Sequence, residues 1–300
     1  AATGALLWLA SKPSEFSFMD SPWKYLGQLA GILGTILISL EYILATRAKI
    51  FDKIFGGLDK AYVAHHFLGG LGFSLVLFHP IFLAFNSATL LNGLNLYFIP
   101  GGIFSYNLGI FALYAYATLI FITFYVRLPY ETWRKTHTLM GIPLVIAAYH
   151  ILEIGSDLGR YLPLKIFVVG LVTTALASYI YRRFLYEKFS SKYEYKVERV
   201  VSYGEVLDIF MKPQGQQMQF TPGQFVFIRF HGKNISPELH PFSISSAPED
   251  TELRISIKKL GDFTKVLADN LSSNVSATLY GPHGEFGYKS LQSKKPEVWI

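Results

Sequence analysis

The 300 residues are 51% hydrophobic and 16% charged, with a mean hydropathy of +0.31, which is more apolar than an ordinary soluble chain of this length. No cysteine is present, and this excludes disulfide bonds, thiolate metal sites, iron–sulfur clusters and cysteine nucleophiles. The net charge of +6 does not indicate nucleic-acid binding, because the basic residues stand mainly at the ends of apolar segments, where lipid headgroups account for them.

The apolar residues are concentrated before residue 187 and predict a membrane domain. Residues 1–10 are apolar but would span only about 15 Å as a helix, so we interpret them as the tail of a longer helix. Five longer segments are each about long enough to cross a bilayer, and with the tail they make six helices: 23–46, 61–86, 103–126, 134–154 and 161–185.

The loops between these segments alternate in charge. Basic residues occur in 47–60 and 127–135 and after the last segment, whereas 86–102 carries no charge. Because positively charged loops face the cytoplasm, these basic loops and everything after residue 186 are predicted to be cytoplasmic. The chain is therefore expected to be an integral protein of the plasma or cell membrane, with the lipid bilayer as a partner.

After Lys188 the pattern changes to short segments of alternating polarity that are separated by turn sequences. This spacing is typical of a small antiparallel β-barrel or sandwich, and one helix is predicted at about 263–271. The predicted fold is an α-helical membrane bundle over 1–188, followed by a small antiparallel β-barrel domain over 189–300.

Histidines in two apolar segments are the candidate metal ligands. An imidazole in an apolar helix needs partners for both nitrogens, which a bilayer does not supply. His65 and His79 are 14 residues apart, which is about 21 Å along a helix and only about 40° around it. Gly69 and Gly72 lie on the same face and would let a flat macrocycle approach the backbone. His66 is the alternative ligand, with a poorer angular match.

The second segment carries His137 and His150, which are 13 residues apart and about 140° apart on an ideal helix. Pro143 lies between them and is expected to distort that helix. The predicted topology pairs His65 with His137, here called the inner pair, and His79 with His150, the outer pair. Two bis-histidine iron porphyrins would satisfy all four imidazoles and suit electron transfer.

Two stretches, HHFLGGLGFSLVLFHP and WRKTHTLMGIPLVIAAYH, resemble the transmembrane domain of the ferric reductase and NADPH oxidase superfamily. That domain has six helices, with two histidines on the third and two on the fifth that ligate two b-type haems. The resemblance therefore implies two haem b groups and four metal ligands: His65, His79, His137 and His150.

Three motifs in the C-terminal half resemble the FAD-binding barrel of the same superfamily: HPFSISS from residue 240, IKKLGDFT from residue 257 and YGPHGEFG from residue 280. The resemblance implies that Phe242 packs near the isoalloxazine, that Ser243 bonds near its N5, and that His240 lies by the flavin or its phosphate linkage. The pyrophosphate would meet a lysine and a glycine turn at a helix N-terminus. The implied FAD contacts are His240, Pro241, Phe242, Ser243, Lys258, Gly261 and Thr264.

In the family a nicotinamide-binding domain follows, and the sequence EVWI at 297–300 resembles its first strand. The expected function is therefore electron transfer across a membrane, from NADPH or NADH through FAD and two haems to an outside acceptor. The acceptor is expected to be dioxygen, giving superoxide, or a ferric chelate. Dioxygen is favoured because the uncharged loop 86–102 offers no evident site for an iron chelate.

Two other classes of function remain open at this stage. A cytochrome b subunit that relays electrons to a partner protein would share the histidines but not the flavin motifs. A transporter or channel that moves protons through intramembrane histidines would also fit the first half of the chain. No particular protein partner is predicted.

Overall fold

A computed structural model describes residues 1–284. Within it the chain forms two compact units, one made of Ala1–Thr46 with Tyr62–Tyr186, and the other of Arg47–Ala61 with the chain from Glu187 onward. The predicted succession of apolar helices followed by an antiparallel sheet is confirmed. The domain boundary predicted at residue 188 stays a prediction.

The helices of the first part of the chain follow one another through short loops. Their bounds are α1 Ala2–Ala10, α2 Pro22–Leu44, α3 Lys49–Phe55, α4 Leu58–Phe85, α5 Leu90–Phe98, α6 Phe104–Tyr125, α7 Tyr130–Thr138, α8 Gly141–Glu153, α9 Asp157–Arg160, α10 Leu162–Ile180 and α11 Tyr186–Phe189. A π-helical turn, Tyr181–Leu185, joins α10 to α11. Helix α10 packs against α2, and α6 packs against α8.

Among the described residues, four helices are long and apolar enough to cross a membrane: Pro22–Leu44, Leu58–Phe85, Phe104–Tyr125 and Leu162–Phe189. The predicted count of six membrane helices is therefore not confirmed. Helix α1 is too short, and the predicted segment 134–154 is divided between α7 and α8.

Two features accompany the break between α7 and α8. Helix α8 begins at Gly141, where an added Cβ would lie 2.2 Å from the ring of Tyr179 on α10. Pro143 stands in the first turn of α8, where its missing N–H removes no helical hydrogen bond. The rotation of about 140° expected for an ideal helix therefore does not apply to His137 and His150.

The described part of the second unit contains a six-stranded antiparallel sheet in the order β4-β3-β6-β1-β2-β5. Its elements are β1 Lys192–Tyr203, β2 Val206–Pro213, β3 Phe225–Phe230, β4 His240–Ser243, β5 Leu253–Lys258, α12 Asp262–Asn270 and β6 Ser276–His283. A bridge from Ile244 to Ile255 joins the chain after β4 to the opposite edge strand, so the sheet curls. Each strand coincides with a segment of alternating polarity, and α12 with the predicted helix.

The interior of the curled sheet is apolar. Side chains from several strands are fully buried there, including Ile209, Ile228, Ile255 and Leu279, and Leu267 of α12 belongs to the same cluster. Arg229 of β3 donates two hydrogen bonds of 2.8 and 2.9 Å to the carboxylate of Glu187, and this bonding raises the pKa of Arg229.

We expect Gly141→Val to destabilise the helical unit by about 1–3 kcal/mol, because the new side chain would enter the space of the Tyr179 ring. The matched control is Gly170→Val on α10, where nothing lies within 4 Å of an added Cβ. Thermal unfolding of the detergent-solubilised protein measures both variants. Equal melting temperatures for the two variants would contradict the close contact of α8 with α10.

Candidate haem and flavin sites

The outer pair lines one cavity. His79 of α4 and His150 of α8 both face a space of about 640 Å³ within the helical unit, which is the size range of cofactor and small-molecule sites. Much of its wall is apolar, with Ile110, Leu113, Leu144, Val168 and Val172 among the lining residues. The structure therefore brings the two predicted ligands of the outer haem to a single cavity.

Each outer-pair imidazole is held by a backbone carbonyl of another helix. His79 Nδ1 lies 2.7 Å from the Gly27 carbonyl oxygen, and His150 Nδ1 lies 2.7 Å from that of Ser105. A carbonyl oxygen only accepts, so each Nδ1 carries the proton and each Nε2 keeps a lone pair. This is the tautomer that a histidine needs in order to bind a metal through Nε2. The residues present thus fit an iron porphyrin.

Two glycines that sequence reasoning missed make room for these imidazoles. An added Cβ at Gly31 of α2 would lie 2.7 Å from His79 Nδ1, and one at Gly109 of α6 would lie 3.0 Å from the His150 ring. The predicted glycines have other neighbours, since Gly69 faces the Glu41 carboxyl group and Gly72 faces Ile38, both on α2. The glycines in α2 and α6 are visible in the sequence. Which of them lies against a histidine can be recognised only when the neighbouring helix is known.

The inner pair is also brought together. The ring centroids of His65 and His137 are 6.3 Å apart, with an angle of 73° between the ring planes. Two metal–imidazole bonds of about 2 Å each, together with the two ring radii, require a separation of this size. His137 stacks on Trp133 at 5.3 Å, and within residues 1–284 its buried Nδ1 has no hydrogen-bond partner. The ring centroid of His66, the alternative ligand, lies 5.7 Å from that of His65.

A buried carboxyl group accompanies the inner pair. Glu41 of α2 places Oε1 3.4 Å from His65 Nε2, and its carbonyl oxygen lies 3.4 Å from His65 Nδ1. Both side chains are mostly buried. Sequence reasoning missed Glu41, although it is the only acidic residue within Pro22–Leu44, and an acidic residue in such a helix indicates a polar partner.

In the sheet, the first two flavin motifs meet. His240 pairs with Ile228 across β4 and β3, and its buried ring stacks on Phe263 of α12 with centroids 3.6 Å apart. The ring centroid of Phe242 lies 6.4 Å from that of Phe263. Pro241 and Ser243 are exposed on the strand. Phe263 therefore joins the HPFS strand to the GDFT turn, a contact that sequence reasoning did not predict.

The predicted phosphate site lies where β5 passes into α12. The Gly261 N–H donates to Thr264 Oγ1 and that hydroxyl donates to the Gly261 carbonyl, each at 3.0 Å, which caps the helix. An added Cβ at Gly261 would meet nothing within 4 Å, so the turn is open to a ligand. Lys258 is exposed, whereas Lys259 bonds Ser202 and the Gly204 carbonyl.

The third flavin motif is described only as far as Gly284. Its residues 280–283 belong to β6, and the His283 ring lies 5.7 Å from Phe225 and 5.4 Å from Phe227 of β3. Gln224 donates a hydrogen bond of 2.9 Å to the Gly284 carbonyl. Glu285, Phe286 and Gly287 lie outside the described residues, as does the predicted strand at 297–300.

Two family models match successive parts of the chain. Residues 30–148 match the model described as a ferric reductase like transmembrane component, and residues 191–299 match that of an FAD-binding domain. The first match contains three of the four candidate haem ligands and ends two residues before His150, and the second contains the flavin motifs. The chain belongs to the NADPH oxidase and ferric reductase superfamily of oxidoreductases.

Respiratory burst oxidase homologs of plants are among its curated relatives. Protein C of Solanum tuberosum is 40% identical over 99 residues, and protein E of Arabidopsis thaliana is 38% identical over 99 residues. Each match covers 32% of this chain and 10% of the relative, so it spans about a tenth of the relative's length.

A solved structure, the ferredoxin reductase in carbazole 1,9a-dioxygenase, is 25% identical over 32% of this chain and 29% of its own. Its TM-score of 0.28 is too low to support an argument about the fold.

We expect Gly31→Ala to displace the His79 ring, because the new methyl group would lie within 2.7 Å of Nδ1 and break the bond to the Gly27 carbonyl. The number of b-type haems per chain, measured by absorbance, should fall from about two to about one, since a ligand is lost when its orienting partner is lost.

Gly70→Ala on α4 is the matched control, because nothing lies within 4 Å of an added Cβ there. It should keep the haem content of the parent protein. A Gly31→Ala protein with the same haem content as Gly70→Ala would show that the Gly31 surface does not position His79.

Proposed function

We propose that this chain carries electrons across a membrane, from FAD on the cytoplasmic side to an acceptor on the other side. The observation that carries the proposal is the outer pair, whose two imidazoles line one cavity with each Nδ1 bonded to a backbone carbonyl. When bound, FAD takes two electrons as a hydride from NADPH or NADH, and two haems b pass them on singly.

The four histidines divide into two metal sites under this proposal. His65 and His137 hold one haem, and their ring separation of 6.3 Å supports the assignment. His79 and His150 hold the other through Nε2. The two carbonyl contacts fix the outer imidazoles before any metal binds, and the apolar wall of the cavity excludes water from the site.

The FAD contacts that we propose are residues of the flavin motifs. Phe242 would lie near the isoalloxazine, with Pro241 and Ser243 exposed beside it on β4. The open turn at Gly261, capped by Thr264, would receive the pyrophosphate with Lys258. The His240 ring is stacked on Phe263, so it would fix α12 against β4 next to the proposed flavin site.

Dioxygen is the acceptor that we favour. One hydride carries two electrons, which reduce two dioxygen molecules to two superoxide anions and leave one proton from the nicotinamide. His79 and His150 would hold the outer haem from both sides, which would leave its edge for contact with the acceptor. A superoxide assay with the full-length protein and NADPH tests this, and ferric reduction without oxygen consumption would overturn it.

The match to an FAD-binding domain argues against the two other classes considered from sequence, a cytochrome b relay subunit and a proton transporter. A ferric chelate remains the second candidate acceptor. Cationic residues line the outer cavity and support this candidate. They belong to segments other than the uncharged loop 86–102.

We expect His79→Ala or His150→Ala to remove one of two b-type haems and to stop reduction of an outside acceptor, while FAD binding is retained. A reduced-minus-oxidised spectrum and the FAD content measure these effects. His66→Ala is the control and should keep both haems. Two haems in either outer-pair variant would refute the ligand assignment, and a parent protein without a b-type band would refute the conduit.

Lys258→Gln should weaken FAD binding about tenfold or more, because a charge-assisted contact to a phosphate contributes about 1.5–3 kcal/mol. The neighbouring variant Lys259→Gln provides the control, since the Lys259 ammonium already bonds Ser202 and Gly204. Quenching of flavin fluorescence during titration gives both dissociation constants. Equal constants for the two variants would remove Lys258 from the proposed phosphate site.

A further inference from the structure

His137 differs from the other three candidate ligands in how its ring is held. The Nδ1 atoms of His79 and His150 are each bonded to a backbone carbonyl at 2.7 Å, and that of His65 lies 3.4 Å from one. The buried Nδ1 of His137 has no hydrogen-bond partner within residues 1–284. In this part of the chain, therefore, no hydrogen bond at that nitrogen fixes the plane of the His137 imidazole.

An aromatic ring contacts the His137 imidazole instead. The indole of Trp133, four residues earlier on α7, stacks on it with the ring centroids 5.3 Å apart and an angle of only 7° between the ring planes. This separation is typical of offset-stacked rings. Residues four apart lie on one face of a helix, so the stack follows from the regular geometry of α7. A rotation of the imidazole about its Cβ–Cγ bond would break the parallel contact.

Two further contacts hold the Trp133 indole. Its Nε1–H donates a hydrogen bond of 3.2 Å to the Thr123 carbonyl, which belongs to the last turn of α6 and has no partner within that helix. The Tyr130 ring, three residues before Trp133, stacks on it at 5.9 Å with 24° between the planes. The indole is thus tied to a neighbouring helix and backed by a second ring.

We propose that Trp133 is the positioning residue of His137, and that the face of its indole sets the plane of the imidazole at the inner site. A metal-binding histidine is ordinarily oriented by a hydrogen bond at its second nitrogen. At His137 a stacked ring takes over that role. The proposal rests on the function proposed above and deepens it, because it assigns the residue that orients one ligand of the inner haem.

The proposal has a consequence for one haem only. Without the stack the His137 ring is free to rotate, and the angle between the two imidazole planes at the inner haem changes. The electron paramagnetic resonance (EPR) spectrum of a low-spin ferric haem reports this angle through its g values. The affinity of the inner site for haem should fall about tenfold or more, because the loss of an orienting partner weakens metal binding by such factors.

The test uses three variants of Trp133 in the full-length protein in nanodiscs. Trp133→Leu and Trp133→Met remove the ring but keep apolar volume, whereas Trp133→Phe keeps a ring and loses the N–H. Trp23→Leu is the matched control, because Trp23 stacks on Phe82 at 6.0 Å and not on a histidine. Haem titration, the EPR spectrum of the ferric protein and the melting temperature are measured for each variant.

Either variant without a ring should bind one of the two haems about tenfold or more weakly and shift one of the two EPR signals, while Trp133→Phe keeps the parental values. Equal changes in Trp133→Phe and the variants without a ring would overturn the role of the stack. Haem affinities and EPR signals equal to those of Trp23→Leu would also overturn it, even if the melting temperature falls.

A parent protein without b-type haem bands would instead overturn the proposed function. The stack is then tested in the haem-free protein through the rate at which diethyl pyrocarbonate modifies His137, followed by mass spectrometry of the peptide that contains it. Faster modification in Trp133→Leu than in Trp133→Phe supports positioning by the ring, and equal rates contradict it.

Discussion

The outer pair of the helical unit reflects one constraint, that leaving a nitrogen of a buried imidazole without a partner costs free energy. In each histidine of the outer pair, Nδ1 bonds a backbone carbonyl, and Nε2 remains available for a ligand in the cavity. The carbonyls belong to Gly27 and Ser105, and the residue four positions later is Gly31 in one helix and Gly109 in the other. A helical side chain leans back over the preceding turn, so glycine at that position leaves the carbonyl accessible to the imidazole.

The pairing of the histidines could be predicted, because spacing along a helix and charge in the loops are both written in the sequence. The break after Thr138 could not, since an apolar run reads the same whether the helix is continuous or interrupted. The contact of Gly141 with Tyr179, which accompanies the break, joins residues far apart in the chain. Gly31 and Gly109 were missed for the same reason.

The sheet was more predictable than its site. Alternating polarity with turns between the segments marks the described strands, because burial alternates along strands such as β2 and β5, whose inner face is apolar. The motifs located the residues of the candidate flavin site along the chain, but the stack of His240 on Phe263 depends on how α12 returns to β4. Glu41 was readable as an unusual residue in an apolar helix, yet its partner His65 was not.

The carbonyl contacts of the outer pair also bear on the speed of electron transfer. An electron moves fastest between centres whose ligands hardly shift when the charge changes, because little reorganisation energy then accompanies each step. His79 and His150 are tied to two different helices by bonds of 2.7 Å, whereas His65 has only a long contact of 3.4 Å to a carbonyl. Under the proposed function, the outer pair would be the stiffer of the two sites, at the place where the electron leaves the protein.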